Sequence, residues 1–119
     1  MALQCLIVDD SPGFLVAASQ LLERQGLPVI GCVSTRSEAL ALTRELQPDV
    51  ILVDVVLGRD SGFDLARDLA AIGTDATVIL MSIDVEPDFG DMVAESQAAG
   101  FIPKAALSAG AIRQLAGEG

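Results

Sequence analysis

The sequence predicts a single α/β domain in which helices cover both faces of a parallel β-sheet. Five short apolar segments are bounded by turn signals, as buried strands are, and a segment with helical spacing of its apolar residues follows each of them. The strand segments are apolar almost without interruption, which is typical of parallel strands covered on both faces. Strands and helices therefore alternate five times, and residues 1–119 are predicted to form one domain of βαβ units with right-handed crossovers.

The strand segments are made mainly of Val, Ile and Leu, and each ends where polar or turn-forming residues begin. Segments of this length between turn signals are interpreted as strands rather than helices. The stretch 55–61 contains Gly58 and is predicted to be a loop. The predicted strands are residues 3–8, 27–33, 50–53, 77–81 and 101–102.

The helices are predicted from helical spacing together with capping signals. Ser11 and Pro12 suit the N-cap and the first position of the first helix. Ser34 or Thr35 caps the second helix, which ends before Pro48. The predicted helices are residues 13–25, the segment from this second cap to residue 47, and residues 62–72, 87–99 and 107–116.

Five polar residues fall directly after four of the predicted strands. They are Asp9, Asp10, Asp54, Ser82 and Lys104. In an open α/β sheet the ligand site lies beyond the carboxyl ends of the strands, so these side chains are expected at one edge of the sheet. Three carboxylates and one ammonium leave a net negative cluster, which suits a hard divalent cation such as Mg²⁺.

The chemistry that this set supports is phosphoryl transfer to a carboxylate. Asp54 is the predicted nucleophile, and an aspartyl-phosphate is the expected product. Asp10 is expected to ligate Mg²⁺ directly, Asp9 to hold a metal-bound water, and the backbone carbonyl of Val56 to be a third protein ligand. The Lys104 ammonium and the Ser82 hydroxyl are expected to bind phosphoryl oxygens.

Each of these residues taken alone has a simpler explanation. An Asp-Asp-Ser-Pro run is often a helix N-cap, and Asp54 could form an Asx-turn. Ser82 alone suggests a turn or cap, and Lys104 alone suggests a solvated surface charge. The prediction of a site rests on the joint pattern, because only the second strand lacks such a residue at its end.

Composition excludes several classes of function. The net charge of −10 argues against binding of nucleic acid or an anionic membrane by this chain. The sequence has no His, which excludes a Ser-His-Asp hydrolase and most zinc enzymes. Cys5 and Cys32 lie in apolar runs and are predicted to be buried, reduced thiols. With no secretory signal or membrane span in the sequence, a cytoplasmic protein is expected.

Four motifs resemble those of response-regulator receiver domains of two-component signalling. They are LIVDDSP at 6–12, PDVILVDVVLGRDSGFDL at 48–65, VILMSID at 78–84 and AGFIPKAAL at 99–107, the last of which is similar to receivers that precede a helix-turn-helix domain. The resemblance implies a three-layer, flavodoxin-like (βα)5 fold with five parallel strands in the order 2-1-3-4-5.

The resemblance also implies the roles of single residues and the partners of the chain. Asp54 becomes the phosphoacceptor, Asp9 and Asp10 the acid pair, Ser82 the switch hydroxyl and Lys104 the essential lysine. Phe101 matches an aromatic switch position, so that Ser82, Phe101 and the loop 83–88 form a two-state element. The implied donor is a phosphohistidine on a sensor histidine kinase or a phosphotransfer protein, and a downstream protein or a second copy is the implied output partner.

The sequence departs from the family pattern at Gly58 and at Ala105, since Pro is common in the family at both positions. Ala105 follows Lys104 where many members have Pro, so a cis or trans bond is left open. The Val56 side chain cannot orient a water molecule, which predicts slow to moderate loss of the phosphoryl group. The chain is therefore expected to be a phosphoacceptor with at most slow autodephosphorylation, and not an enzyme.

Three alternatives compete with a working receiver. A degenerate receiver would be a constitutive interaction module, which the intact set of five residues disfavours. A phosphatase of the haloacid-dehalogenase type needs an Asp two residues after the nucleophile, where this chain has Val56. A flavodoxin-like electron carrier needs aromatic residues beside a flavin, and this sequence has no Trp or Tyr. The cognate kinase, the stimulus and the oligomeric state are left open, as is whether the chain stands alone or belongs to a DNA-binding regulator.

Overall fold

The computed structural model describes residues 3–84 and 86–117, which form one α/β domain with three layers. The strands are Cys5–Val8 (β1), Val29–Val33 (β2), Val50–Asp54 (β3), Val56–Leu57 (β4), Asp60–Ser61 (β5), Thr77–Ser82 (β6) and Gly100–Pro103 (β7). The helices are Pro12–Arg24 (α1), Arg36–Leu46 (α2), Gly62–Ala71 (α3), Phe89–Ser96 (α4) and Ala109–Leu115 (α5), with a 3₁₀ turn at Lys104–Ala106.

The main sheet has five parallel strands in the order β2-β1-β3-β6-β7. Without the short β4–β5 hairpin, this is the predicted 2-1-3-4-5 order, so the flavodoxin-like fold class is confirmed. Alternate strand residues point to opposite faces and build two apolar cores. One core packs against α1 and α5, and the other packs against α2, α3 and α4.

Local capping explains where the first two helices begin. The Ser11 hydroxyl accepts a hydrogen bond from the Phe14 backbone N–H, and Pro12 occupies the first helical position, as predicted. Thr35, rather than Ser34, caps α2 by accepting from the Glu38 N–H.

Two helices are shorter than predicted. The fourth helix begins at Phe89 and ends at Ser96. It ends there because Gln97 adopts the left-handed conformation at φ 68° and the Ser96 hydroxyl accepts a hydrogen bond from the Ala98 N–H. The last begins at Ala109, because Ser108 is extended and caps it by accepting from the Ala111 N–H. In both cases a side-chain cap competes with continuation of the helix.

Two further expectations were wrong. The stretch 55–61 is a hairpin rather than a loop, with Gly58 in its turn at φ 59°, a conformation that glycine adopts at low cost. Cys32 is exposed, because β2 is an edge strand that its neighbours cover incompletely. Cys5 is buried as predicted, and desolvation raises the pKa of its thiol to about 12.

The described part of the chain contains no helix that is long and apolar enough to cross a membrane. Its peptide bonds include no cis bond, so the Lys104–Ala105 bond, which the sequence left open, is trans.

Candidate functional site

The register of the parallel sheet brings the polar strand ends together. Val8 of β1 lies beside Val53 of β3, so the next residues, Asp9 and Asp54, are neighbours at the same edge. Ser82 ends β6 and lies beside Pro103 of β7, which places Lys104 one residue beyond it. The carboxyl ends of four strands thus meet at one edge of the sheet, as the sequence predicted.

A cluster of three carboxylates occupies this edge. Asp9, Asp10 and Asp54 each offer one oxygen such that these atoms all lie within 4.8 Å of one another. Asp9 is fully buried, Asp54 is buried and Asp10 is exposed. Such close like charges repel one another strongly in a site with little water, so the cluster calls for a cation.

Backbone N–H groups orient each carboxylate. Asp9 Oδ1 accepts from the Ser11 N–H at 2.8 Å, Asp10 Oδ2 from the Gly58 N–H at 2.9 Å, and Asp54 Oδ1 from the Val56 N–H at 3.2 Å. One oxygen of each side chain is thereby held by the main chain, which fixes the orientation of all three carboxylates.

Lys104 supplies one positive charge to the cluster. Its Nζ lies 2.6 Å from Asp9 Oδ2 and 3.1 Å from Asp54 Oδ2, and only 9% of its side chain is exposed. Desolvation alone would lower the Lys104 pKa, but the contacts with Asp9 and Asp54 outweigh it and raise that pKa. The ammonium is therefore charged at neutral pH and joins the ends of β1 and β3 to the end of β7.

The surroundings of Asp54 favour the protonated form of its carboxyl group. Its pKa is raised, chiefly by desolvation and further by the charge on Asp9, although hydrogen bonds from Val56 and Lys104 act in the opposite direction.

A divalent cation fits the charge and the donor set of the cluster. Three carboxylates and one ammonium sum to a formal charge of −2 when all are ionised. Among the described residues, Asp9 Oδ2 is a buried oxygen to which no group donates a directed hydrogen bond, although it forms the ion pair with Lys104. Carboxylate oxygens in this arrangement are the ligands that Mg²⁺ prefers.

The β4–β5 hairpin leaves the Val56 carbonyl available as a further oxygen ligand. The Gly62 N–H donates to the Val55 carbonyl at 2.8 Å, so the adjacent facing pair, Val56 and Ser61, is the non-hydrogen-bonded pair of the ladder. The Val56 N–H donates to Asp54 instead, and the Val56 carbonyl is not used by the hairpin.

Phe101 packs against one of the two apolar cores. It is partly buried against the core under α2, α3 and α4, and its ring centroid lies 5.7 Å from that of Phe89, which in turn lies 5.6 Å from Phe63. Ser82 is buried at the end of β6. The predicted two-state loop 83–88 includes Val85, which lies outside the described residues.

Sequence reasoning missed two residues that shape the site. The helical spacing of Phe14 predicts a core position, and the residue does pack against the core under α1 and α5, but its ring centroid also lies 4.3 Å from Lys104 Nζ. Gly62 is the first residue of α3, as predicted, but a Cβ there would lie 2.7 Å from Val55 Cα and closer still to the Asp54 carbonyl oxygen. Nothing in the helical spacing of Phe14 indicates its contact with Lys104. A glycine at position 62, next to Ser61, is the one feature of the sequence that could have indicated the close approach of α3 to the end of β3.

Replacing Asp54 with Asn is expected to make the domain more stable at neutral pH. Because burial raises the folded-state pKa of Asp54, the folded domain binds more protons than the unfolded chain at pH values between the ordinary pKa of an aspartate and this raised pKa. Wild-type stability therefore falls as the pH rises through the folded-state pKa, and the amide removes this loss.

Urea unfolding of wild type and Asp54→Asn between pH 4 and pH 8 checks this expectation. The advantage of the variant should grow with pH and vanish near the acidic end. A variant that is less stable at neutral pH would show that the contact with Lys104 outweighs desolvation.

Comparisons with known proteins show the family to which the chain belongs. A family profile described as "Response regulator receiver domain" matches residues 5–115. Among curated relatives, the response regulator GacA of Pseudomonas aeruginosa is 30% identical over 105 residues, which make up 87% of this chain and 49% of that protein. This chain therefore spans about half the length of the curated relatives that it matches.

Two solved structures share the fold at similar levels of identity. A two-component response regulator of the LuxR family from Aurantimonas sp. SI85-9A1 superposes with a TM-score of 0.82 at 25% identity, over 87% of this chain and 75% of that chain. A response regulator from Burkholderia pseudomallei, solved with a phosphorylated aspartic acid, a calcium ion and citrate, gives 0.82 at 26% identity, over 97% and 69%. The motifs, the sheet order and the profile match agree, and we conclude that the chain belongs to the response regulator receiver family of two-component systems.

Proposed function

We propose that this receiver domain accepts a phosphoryl group on Asp54 and is thereby switched between two partner-binding states. The observation that supports this most directly is the contact of Lys104 Nζ with both Asp9 and Asp54 inside a buried acidic cluster. A surface lysine would not be held in this way, and a degenerate receiver would not need to retain the whole set.

The reaction needs little covalent machinery. A carboxylate oxygen of Asp54 attacks the phosphorus of the donor, the bond from phosphorus to the leaving group breaks, and an acyl phosphate forms. The leaving group keeps the bonding electrons, which gives acetate from acetyl phosphate or neutral imidazole from a protonated phosphohistidine. Positioning and electrostatic stabilisation supply most of the acceleration.

The residues of the chain have distinct roles in this proposal. Lys104 exchanges its contact with the Asp54 carboxylate for a contact with a phosphoryl oxygen, as a point charge. The Ser82 hydroxyl donates to another phosphoryl oxygen. Asp9, Asp10, Asp54 and the Val56 carbonyl would hold Mg²⁺, whose chemistry is to neutralise charge between the carboxylate and the incoming phosphoryl group.

The proposed partners follow from the reaction and from the charge of the domain. The donor is a phosphohistidine on a sensor histidine kinase or a phosphotransfer protein in the cytoplasm, and the relative from Burkholderia pseudomallei carries a phosphorylated aspartic acid. The receiver passes its state on through a downstream protein, a second copy or another domain of the same regulator. At a net charge of −10, this chain is not proposed to bind nucleic acid itself.

The phosphoryl group is expected to be lost slowly. The side chain of Val56 is 58% exposed beside Asp54 but carries no polar atom that could orient an attacking water. The domain is thus proposed to act as a stoichiometric acceptor and not as a phosphatase, and a phosphoprotein too short-lived to detect would contradict this.

Intact mass after incubation with acetyl phosphate tests the proposed function. We expect wild type to gain one phosphoryl group in the presence of Mg²⁺ and little without it, and Asp54→Asn to gain none. Asp49→Asn is the matched control, because its carboxylate accepts from the Gln4 N–H, away from the cluster, and it should be phosphorylated like wild type. No mass gain in wild type under any condition would favour a degenerate receiver.

Mg²⁺ is expected to raise the melting temperature of the domain. A ligand that binds only the folded state stabilises it by about 2.7 kcal/mol when present at roughly 100 times its dissociation constant. Asp10→Asn should abolish most of this shift, because the exposed member of the cluster is lost while the ion pair of Asp9 with Lys104 is kept. Thermal unfolding with increasing Mg²⁺ measures the effect, and equal shifts in both proteins would exclude Asp10 as a ligand.

A further inference from the structure

Phe14 lies against the ammonium group that the proposed reaction uses. The centroid of its ring is 4.3 Å from Lys104 Nζ, within the range of a cation–π contact. The contact joins the first turn of α1 to the end of β7, which are 90 positions apart in the chain. The ring is partly buried and the lysine side chain is 9% exposed, so little water screens the contact.

The position of this ring is tied to the acidic cluster through the start of α1. The Phe14 N–H donates to the Ser11 hydroxyl at 3.3 Å, and the Ser11 N–H donates to Asp9 Oδ1 at 2.8 Å. Asp9 Oδ2 in turn lies 2.6 Å from Lys104 Nζ. Asp9 and Phe14, which the start of α1 links to each other, therefore both contact the Lys104 ammonium.

The aromatic face suits a lysine that must change its partner. An ammonium has three donors, and the Lys104 ammonium already has Asp9 Oδ2 at 2.6 Å and Asp54 Oδ2 at 3.1 Å. A third carboxylate or a water molecule in the place of the Phe14 ring would compete with a phosphoryl oxygen for the ammonium. A ring excludes water there and attracts the cation, but it offers only a weak acceptor.

We propose that Phe14 is a positioning residue for the phosphoacceptor site, which keeps the Lys104 ammonium facing Asp54 and free to pair with a phosphoryl oxygen. This inference rests on the proposed function for its effect on rate, but the contact itself can be measured without any phosphoryl donor. Phe14 takes no part in bond making, and it acts only through Lys104.

The chain makes the contact easy to observe, because Lys104 is its only lysine. Labelling with ¹⁵N,¹³C-lysine gives one set of side-chain signals, and a proton held over a ring is shifted upfield by the ring current. We expect this upfield shift in wild type, its loss in Phe14→Leu and its return in Phe14→Tyr, which keeps the ring.

The rate of phosphorylation by acetyl phosphate gives the second measurement. We expect Phe14→Leu to react about tenfold more slowly than wild type, which is the scale of one desolvated cation–π contact, and Phe14→Tyr to recover most of the rate. The Mg²⁺ concentration for half-maximal phosphorylation should not change, because Phe14 offers no ligand to the ion.

Phe89→Leu is the matched control for the loss of a ring. Phe89 is also partly buried, but it packs against Phe63 and Phe101. It should keep the wild-type Lys104 signals, and its rate should fall less than that of Phe14→Leu.

Unchanged Lys104 signals in Phe14→Leu would overturn the inference, as would an equal loss of rate in both leucine variants or no recovery with tyrosine. If wild type is not phosphorylated at all, the proposed function fails. The NMR comparison then still decides whether Phe14 positions Lys104.

Discussion

Replacing Lys104 with Met is expected to destabilise the domain by about 3 kcal/mol at neutral pH in the absence of Mg²⁺, since removing one partner of a buried ion pair leaves its charges uncompensated. Met keeps most of the apolar stem of the side chain, so the change removes mainly the ammonium. Asp9 is fully buried and Asp54 nearly so, and a backbone hydrogen bond holds each carboxylate in this position.

The pH dependence separates charge from packing in this variant. Carboxylates that have lost their cation become easier to protonate, so the deficit should shrink as the pH falls. Excess Mg²⁺ should also restore part of the stability, because it supplies charge to the same oxygens. Urea unfolding at pH 7.5 and pH 5, with and without Mg²⁺, measures both effects.

Arg36→Met is the matched control for the loss of a cation. Arg36 pairs with Asp68 at 2.5 Å, but the two side chains are 37% and 32% exposed. A solvent-exposed ion pair contributes about 0.2–1 kcal/mol, so this variant should lose much less than Lys104→Met. Equal losses in the two variants would show that the cluster does not depend on the buried ammonium.

Replacing Gly62 with Ala is expected to cost about 3 kcal/mol, although alanine is the better helix former. The added Cβ would lie 2.7 Å from Val55 Cα and closer to the Asp54 carbonyl oxygen, both of which are backbone atoms. Because these atoms belong to the backbone, no side-chain movement can relieve the clash, and the end of β3 or the start of α3 must shift. We expect the shift to displace Asp54 and to slow its phosphorylation.

Gly13→Ala is the control with the opposite sign. Gly13 lies within α1, and a Cβ there would meet no atom within 4 Å. The substitution should stabilise the domain by up to about 1 kcal/mol through helix propensity alone. Urea midpoints of the two variants compare the same chemical change at an open and a crowded site, and a stable Gly62→Ala protein would contradict the close approach seen here.

The sequence was sufficient for the parts of the site that depend on topology. Asp9, Asp54 and Lys104 each follow a predicted strand, and parallel strands bring their carboxyl ends to one edge whatever the details of packing. The role of Ser11 as the N-cap of α1 could be predicted equally well, because an N-cap forms within a few residues and needs no tertiary contact. Such features depend on local chemistry or on the order of strands alone.

The sequence did not predict features that depend on contacts between distant residues or on competition between local conformations. Phe14 has the same spacing whether it meets a core residue or a lysine 90 positions away. Cys32 lies in an apolar run that the implied strand order already places at the edge of the sheet, but its exposure depends on how far the neighbouring elements cover that edge. The end of α4 depends on Gln97 in the left-handed region, which glycine would have signalled and glutamine does not.

The most direct test of a phosphoacceptor site on Asp54 is to locate the phosphoryl group within the chain. Wild-type protein would be phosphorylated with acetyl phosphate and Mg²⁺, treated with borohydride to convert the acyl phosphate to homoserine, digested and sequenced by tandem mass spectrometry. We predict homoserine at position 54 and unmodified Asp at positions 9 and 10. Homoserine at another carboxylate, or at none in a protein that remains folded, would contradict the account.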